Sequence, residues 1–156
     1  MQNMNQHPAS SPSPGAPSGI QAGGVETKCR VLVIDDCPDT IRLLNAYLSD
    51  PRIRVTVARN GLEGLAAFRD GIFDLVLMDM EMPEMNGYAA TISIRNWETD
   101  CHLPRTPIAA LTAASDFGAS NRMLLAGCTL HLSKPIRRET LLQIVRQFGS
   151  GSSPAR

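Results

Sequence analysis

The chain of 156 residues carries 15 Lys or Arg against 15 Asp or Glu, for a formal charge of zero, and 43% of its residues are hydrophobic. That length suits one domain with a sizeable core, and the balanced charge speaks against nucleic acid, which would need a basic face or stripe. The longest apolar runs, such as Val31 to Ile34 and Leu75 to Met78, are too short to cross a bilayer, and no charged-then-apolar leader opens the chain, so a cytoplasmic location off the membrane is expected.

Residues 1–27 differ from all that follows. The stretch HPASSPSPGAPSG (His7 to Gly19) has no apolar periodicity and cannot bury enough surface to offset its ordering entropy, so a flexible tail is predicted. Residues 28–149 form the predicted domain, and 150–156 read as a frayed end. Cys29, Cys37, Cys101 and Cys128 show no close pairing of the C-x-x-C kind, which points to reduced, partly buried thiols rather than disulfides or a zinc site.

Within the domain the chain alternates. CRVLVI (Cys29 to Ile34) reads as a strand buried on both faces, ending in Asp35 and Asp36. A helix is predicted from Pro38 to Leu48, with Ile41, Leu44, Tyr47 and Leu48 inward and Pro38 in its first turn. A second strand, Ile53 to Ala58, leads through Asn60-Gly61 to a helix over Leu62 to Arg69. LVLMDM (Leu75 to Met80) is the third strand. The helix after Asn86-Gly87 is predicted to run through Trp97, with Tyr88, Ile92 and Trp97 on its inner side. PIAALTA (Pro107 to Ala113) is a fourth strand and Ser115 to Ala126 a helix stopped by Gly127. LHLS (Leu130 to Ser133) is a fifth strand. A last helix over Arg137 to Phe148 turns Leu141, Leu142, Val145 and Phe148 inward. Five strand-helix units predict an α/β fold, a five-stranded parallel sheet doubly wound by helices on both faces.

In such a sheet, ligands gather outside the carboxyl ends of the strands. The polar residues fall there: Asp35 and Asp36 after the first strand, Asp79 after the third, Thr112 on the fourth and Lys134 after the fifth. Three converging carboxylates repel one another unless a cation joins them, and a hard divalent ion such as Mg2+ suits a few carboxylates together with a phosphate. Carboxylates also attack phosphorus, giving aspartyl phosphates, so Asp79 in this setting is a candidate nucleophile. Each residue also has a plainer reading: Asp35 or Asp36 as a helix cap, Thr112 as an ordinary strand residue.

VLVIDD (Val31 to Asp36), LVLMDMEMPEMNG (Leu75 to Gly87), ALTA (Ala110 to Ala113) and LSKP (Leu132 to Pro135), in that order, resemble the receiver domain of bacterial response regulators over about Cys29 to Phe148. The resemblance implies a flavodoxin-like (β/α)5 receiver fold with Asp79 as phosphoacceptor. It implies a metal site for Mg2+ or Mn2+ made by Asp36 directly, Asp79, the main-chain carbonyl of Glu81, and Asp35 orienting a metal-bound water. Thr112 would bond a phosphoryl oxygen, Lys134 would pair with the same group, and the Lys134-Pro135 bond would be cis. Met82-Pro83 and Gly87 match the loop at the pocket rim. The implied partners are a histidine kinase or a histidine phosphotransfer protein, with signalling by docking and with no enzymatic turnover beyond the domain's own phosphorylation and dephosphorylation. Only Gly149 to Arg156 follow the last helix, so no output domain is expected; a stand-alone regulator, a phosphoryl shuttle and a piece of a hybrid kinase all remain open.

Two departures from the family pattern stand out. Glu81 puts an acid two residues after the acceptor, and His131 replaces the aromatic side chain that moves with Thr112's counterpart on activation, which makes Thr112 and His131 the candidate switch pair. Two other classes compete. A haloacid dehalogenase-type phosphatase would carry D-x-D after the first strand, where this chain has Asp35-Asp36-Cys37. A flavodoxin-like binder of a small phosphorylated ligand would want a Ser/Thr/Gly-rich loop there, where Asp-Asp-Cys-Pro-Asp would repel phosphate.

Overall fold

The computed structural model describes residues 29–113 and 117–149. The predicted tail (1–27), the frayed end (150–156) and the predicted helix start at Ser115 lie outside the described residues. The elements follow in strict alternation: β1 (Cys29–Ile34), α1 (Pro38–Tyr47), β2 (Ile53–Ala58), α2 (Gly61–Asp70), β3 (Leu75–Asp79), α3 (Gly87–Asp100), β4 (Ile108–Thr112), α4 (Phe117–Ala126), β5 (Leu130–Ser133) and α5 (Arg138–Phe148). All strand pairs are parallel, in the order β2-β1-β3-β4-β5.

Apart from Arg30 near the start of β1 and Asp79 at the end of β3, the two strands are apolar, because helices cover both faces of the sheet. Alternate residues serve opposite cores. Leu32, Ile34, Val76 and Met78 pack with Phe68 of α2, Ala90 and Ile94 of α3, and Met123 of α4. Val31, Val33, Leu75 and Leu77 pack with Leu44 of α1 and with Leu141, Ile144 and Val145 of α5. Leu77 is fully buried, so truncating it to Ala would cost about 2–5 kcal/mol.

Local chemistry sets the helix ends. Asn60 caps α2 by accepting from the Glu63 amide at 2.8 Å, and the Glu63 carboxylate returns the favour to the Arg59 amide at 2.8 Å. Asn86 caps α3 through the Ala89 amide at 3.0 Å. At the end of α4, Gly127 has φ 103, and the Cys128 and Gly127 amides bond back to the Met123 and Leu124 carbonyls. That left-handed residue is why the chain stops at glycine.

The inner face of α3 departs from expectation. Tyr88 and Trp97 are half-buried against the core, but Ile92 is 47% exposed. The residues turned to the sheet are Ala90, Thr91, Ile94 and Glu98, spaced by one helical turn, and α3 runs to Asp100 rather than stopping at Trp97. Small and hydrogen-bonded residues let α3 lie close to the sheet, whereas bulk alone had pointed to Ile92.

Candidate functional site

β1 and β3 are neighbours at the centre of the sheet, and the chain winds outward from them in opposite directions, opening a crevice at their carboxyl ends. Register carries the predicted residues there. Ile34 lies opposite Met78, so Asp35 and Asp79 are adjacent; Asp79 lies opposite Leu111, and Thr112 opposite Ser133. Hydrogen bonds extend the ladder past the strand ends, from the Asp35 amide to Ala58 O (3.1 Å) and from the Lys134 amide to Thr112 O (2.7 Å).

Asp35, Asp79 and Thr112 are buried and Asp36 is exposed. One oxygen from each of Asp35, Asp36 and Asp79 falls within 4.8 Å of the others. Lys134 Nζ lies 3.1 Å from Asp35 Oδ2 and 3.3 Å from Asp79 Oδ1. Among the described residues, this cluster of three acids thus has one paired ammonium group, Lys134, held by Asp35 and Asp79. The consequence appears in the proton equilibria: burial, together with the charge of Asp35, pushes the Asp79 carboxyl above its ordinary range, even though Lys134 and the Glu81 amide pull it down. Burial alone would lower Lys134, but its hydrogen bond to Asp35 and the charges of Asp35 and Asp79 hold it above the usual lysine value. A donor set of carboxylates with excess negative charge fits a hard divalent cation.

The surroundings fix this arrangement. Asp35 does not cap α1; its Oδ1 accepts from the Cys37 amide at 2.8 Å, bending the chain out of β1. The Glu81 amide donates to Asp79 Oδ1 at 3.2 Å, while the Glu81 side chain is exposed. A Cβ on Gly87 would sit 2.2 Å from the Asp79 carbonyl oxygen, so only glycine lets α3 begin directly against the acceptor strand. The Lys134-Pro135 bond is cis, as the LSKP motif implied. His131 is exposed on β5 opposite Ala110 and lines a recess with Lys134 and Arg137. All four cysteines are free: Cys29 and Cys128 are buried, Cys37 and Cys101 exposed.

The family profile of the response regulator receiver domain matches residues 31–146. The chain belongs to that family. This receiver domain is 39% identical over 119 residues to the sensor histidine kinase GacS of Pseudomonas protegens, covering 76% of the chain and 13% of the kinase. It is 33% identical over 122 residues to the histidine-protein kinase BarA of Escherichia coli K12, covering 78% of the chain and again 13% of that protein. The chain therefore spans only a small part of the curated relatives it matches. Among solved structures, it is similar to the receiver domain of a sensor histidine kinase of Pseudomonas aeruginosa described with a magnesium ion coordinated in the active site cleft (31% identity, TM-score 0.69, 78% of this chain and 97% of that one). It is also similar to the receiver domain of the response regulator Ssk1 of Saccharomyces cerevisiae, solved with the histidine phosphotransfer protein Ypd1 (26% identity, TM-score 0.75, 83% and 94%). The fold neighbours include CheY4 of Vibrio cholerae at 28% identity and TM-score 0.69.

In this receiver domain the fold brings Asp35, Asp36, Asp79 and Lys134 together and places Thr112 at the end of the neighbouring strand. His131 stands apart from the carboxylates, on the solvent side of the edge strand. Sequence reasoning passed over Gly87 as a packing constraint on Asp79; the Asn-Gly pair after the acceptor strand was its only local signal. Among the described residues, no helix is long and apolar enough to cross a membrane.

Proposed function

We propose that Asp79 accepts a phosphoryl group from a histidine kinase or a histidine phosphotransfer protein, and that the domain then signals by docking to a protein partner. The observation that carries this reading is the buried Asp79 with Asp35 and Asp36 oxygens within 4.8 Å and the Lys134 ammonium at 3.3 Å. Asp36, Asp79 and the main-chain carbonyl of Glu81 would hold Mg2+, or Mn2+, with Asp35 behind them, and the ion would neutralise charge on the phosphoryl oxygens.

In the transfer, an Asp79 oxygen forms a bond to phosphorus as the bond from phosphorus to the donor's imidazole nitrogen breaks, its electron pair staying with the ring. The nucleophile is already an anion, so no general base is required. Lys134 bridges Asp35 and Asp79 and is placed to follow the charge onto a phosphoryl oxygen, while the Thr112 hydroxyl donates to another. His131, three residues before Lys134 and on the wall of the same recess, would couple this change to docking. The domain turns over no other substrate, and it works in the cytoplasm. Similarity to GacS and BarA supports a phosphohistidine donor, and the Ssk1 complex with Ypd1 supports a phosphotransfer protein in that role.

Acetyl phosphate with magnesium should add one phosphoryl group by mass, labile to alkali and hydroxylamine. Labelling should be about tenfold slower or worse in Asp36→Ala, the scale of losing one contributor to a metal site. Equal labelling in EDTA and in magnesium would overturn the metal assignment, and phosphate that resists hydroxylamine would overturn the acyl phosphate.

A further inference from the structure

At the end of the sheet away from Asp79, where β1 and β2 begin, a cavity of about 510 Å³ opens between the last turn of α1, the start of β2 and one side of α5. Its volume falls among those of small-molecule sites, roughly 300–1,000 Å³. It shares no residue with the acceptor pocket. Leu142, Val145 and Gly149 of α5 lie on its wall at helical spacing, and Gly149 packs on the Cys29 side chain at the first residue of β1.

The cavity has two kinds of wall. Tyr47, Ile53 and Leu142 pack against the core beneath α1 and α5 but remain half-buried, and the apolar surface they leave uncovered faces the cavity. The rim is cationic: Arg52, Arg138 and Arg146 stand on it against one acid, Asp50. That acid is already taken, since Arg52 donates to its two oxygens at 3.0 and 2.7 Å. Arg146 is exposed in the last turn of α5, directly beside the buried Val145. An apolar floor under a rim of surplus positive charge suits neither a bare inorganic ion nor a neutral hydrocarbon. It suits a molecule that carries both characters, and guanidinium groups match carboxylate and phosphate heads in two-point hydrogen bonding.

We propose that this cavity binds a small amphipathic anion, a carboxylate or phosphate head on an aliphatic chain, with the chain laid on Ile53, Leu142 and Val145 and the head held by Arg146. The chain supplies most of the affinity through burial, and the head fixes which way the ligand lies. The site stands independently of the phosphoryl reading, because none of its residues touches Asp79 or Lys134.

The test titrates the full chain by calorimetry with octanoate, decanoate and laurate, each below its critical micelle concentration, and with dodecylamine. Affinity should climb with chain length by up to about fourfold per methylene, the scale of burying each one. Laurate should bind one per chain and more tightly than dodecylamine. Arg146→Gln should weaken laurate about fivefold, the scale of one exposed ion pair, and Arg146→Lys, which keeps the charge, should recover most of it. Arg54→Gln, an exposed arginine outside the cavity, should bind as the parent does. Flotation with phosphatidylglycerol vesicles separates a membrane lipid from a free amphiphile, and the parent should not float. A flat chain-length series, equal binding of dodecylamine, full affinity in Arg146→Gln or co-flotation with the vesicles would each overturn the proposal. So would two results that give the cavity another occupant: a dimer of the parent that laurate dissociates in sedimentation, or tighter laurate binding in Glu26→Gln, which removes the one acid of residues 1–28.

Discussion

Two buried acidic sites lie at opposite ends of the sheet, and they are built on different principles. At the amino end of β4, Glu98 is 1% exposed, accepts from Arg95 Nη1 at 2.6 Å and from the Thr106 amide at 2.7 Å, and so has one cation for one charge. Arg95 Nε in turn donates to Gly127 O at 2.9 Å, tying the end of α3 to the turn after α4. At the carboxyl end, Lys134 pairs with Asp35 and Asp79, and among the described residues no other cation pairs with the cluster of Asp35, Asp36 and Asp79. The first site is electrostatically closed and needs nothing from outside. The second holds surplus negative charge, which leaves it open to a cation and a phosphoryl group. A balanced buried charge reads as architecture; an unbalanced one, at a strand's carboxyl end, reads as chemistry.

The sharpest way to break that contrast is Asp79→Asn. It should abolish labelling by acetyl phosphate, scored by intact mass, and yet raise the melting temperature in EDTA. The sign follows from Asp79's raised pKa: in the metal-free fold its ionised form is penalised above that value, and a neutral amide removes the penalty. A gain of about 1 kcal/mol would appear as roughly 2–4 °C. Retained labelling would refute the acceptor, and a lower melting temperature would refute the surplus-charge account.

Glu98→Gln should do the reverse. It leaves the largely covered Arg95 without its counter-charge, so stability should fall by about 3 kcal/mol in urea unfolding, while labelling per folded molecule stays as in the parent. A labelling defect larger than the folding defect would mean that the two ends of the sheet are coupled.

A second balanced pair gives a smaller effect with a definite pH sign. Asp74 is buried, with its oxygens 2.9 Å from Arg30 Nε and Nη2. Burial alone would raise its carboxyl, but the Arg30 side-chain and amide hydrogen bonds and the Arg30 charge hold it below the ordinary range. Its stabilisation is therefore complete above the unfolded carboxyl value, near 4, and is lost as pH falls through the lower folded value. Asp74→Asn should lower the unfolding free energy measured in urea at pH 6 by about 1 kcal/mol, given the partly exposed arginine, and the gap should close toward pH 3. A gap that widens on acidification would reverse the assignment.

The smallest effect should come from Glu81→Gln. An exposed carboxylate beside the acceptor repels a small anionic donor, but water and salt screen it, so labelling by acetyl phosphate should quicken only about twofold. Equal or slower labelling would remove Glu81 from the pocket's charge count.

What the sequence determined by itself is whatever depends on neighbours in the chain. Apolar runs of strand length with acids directly after them placed β1, β3 and their carboxylates, because a strand buried on both faces is continuous in composition and its end is where polarity returns. Asn60, Asn86 and Gly127 marked helix ends because capping is a matter of one to four residues. Strand order and register were decided only in three dimensions, and they alone convert Asp35, Asp79 and Lys134 from three separate motifs into contacts of about 3 Å. The same holds for the inner face of α3: Glu98 reads as a surface acid until Arg95 and the Thr106 amide enclose it, and Ile92 reads as core until Ala90, Thr91 and Ile94 take the place against the sheet. Pairings between distant residues follow from which faces meet, and a linear pattern of polar and apolar residues does not carry that information.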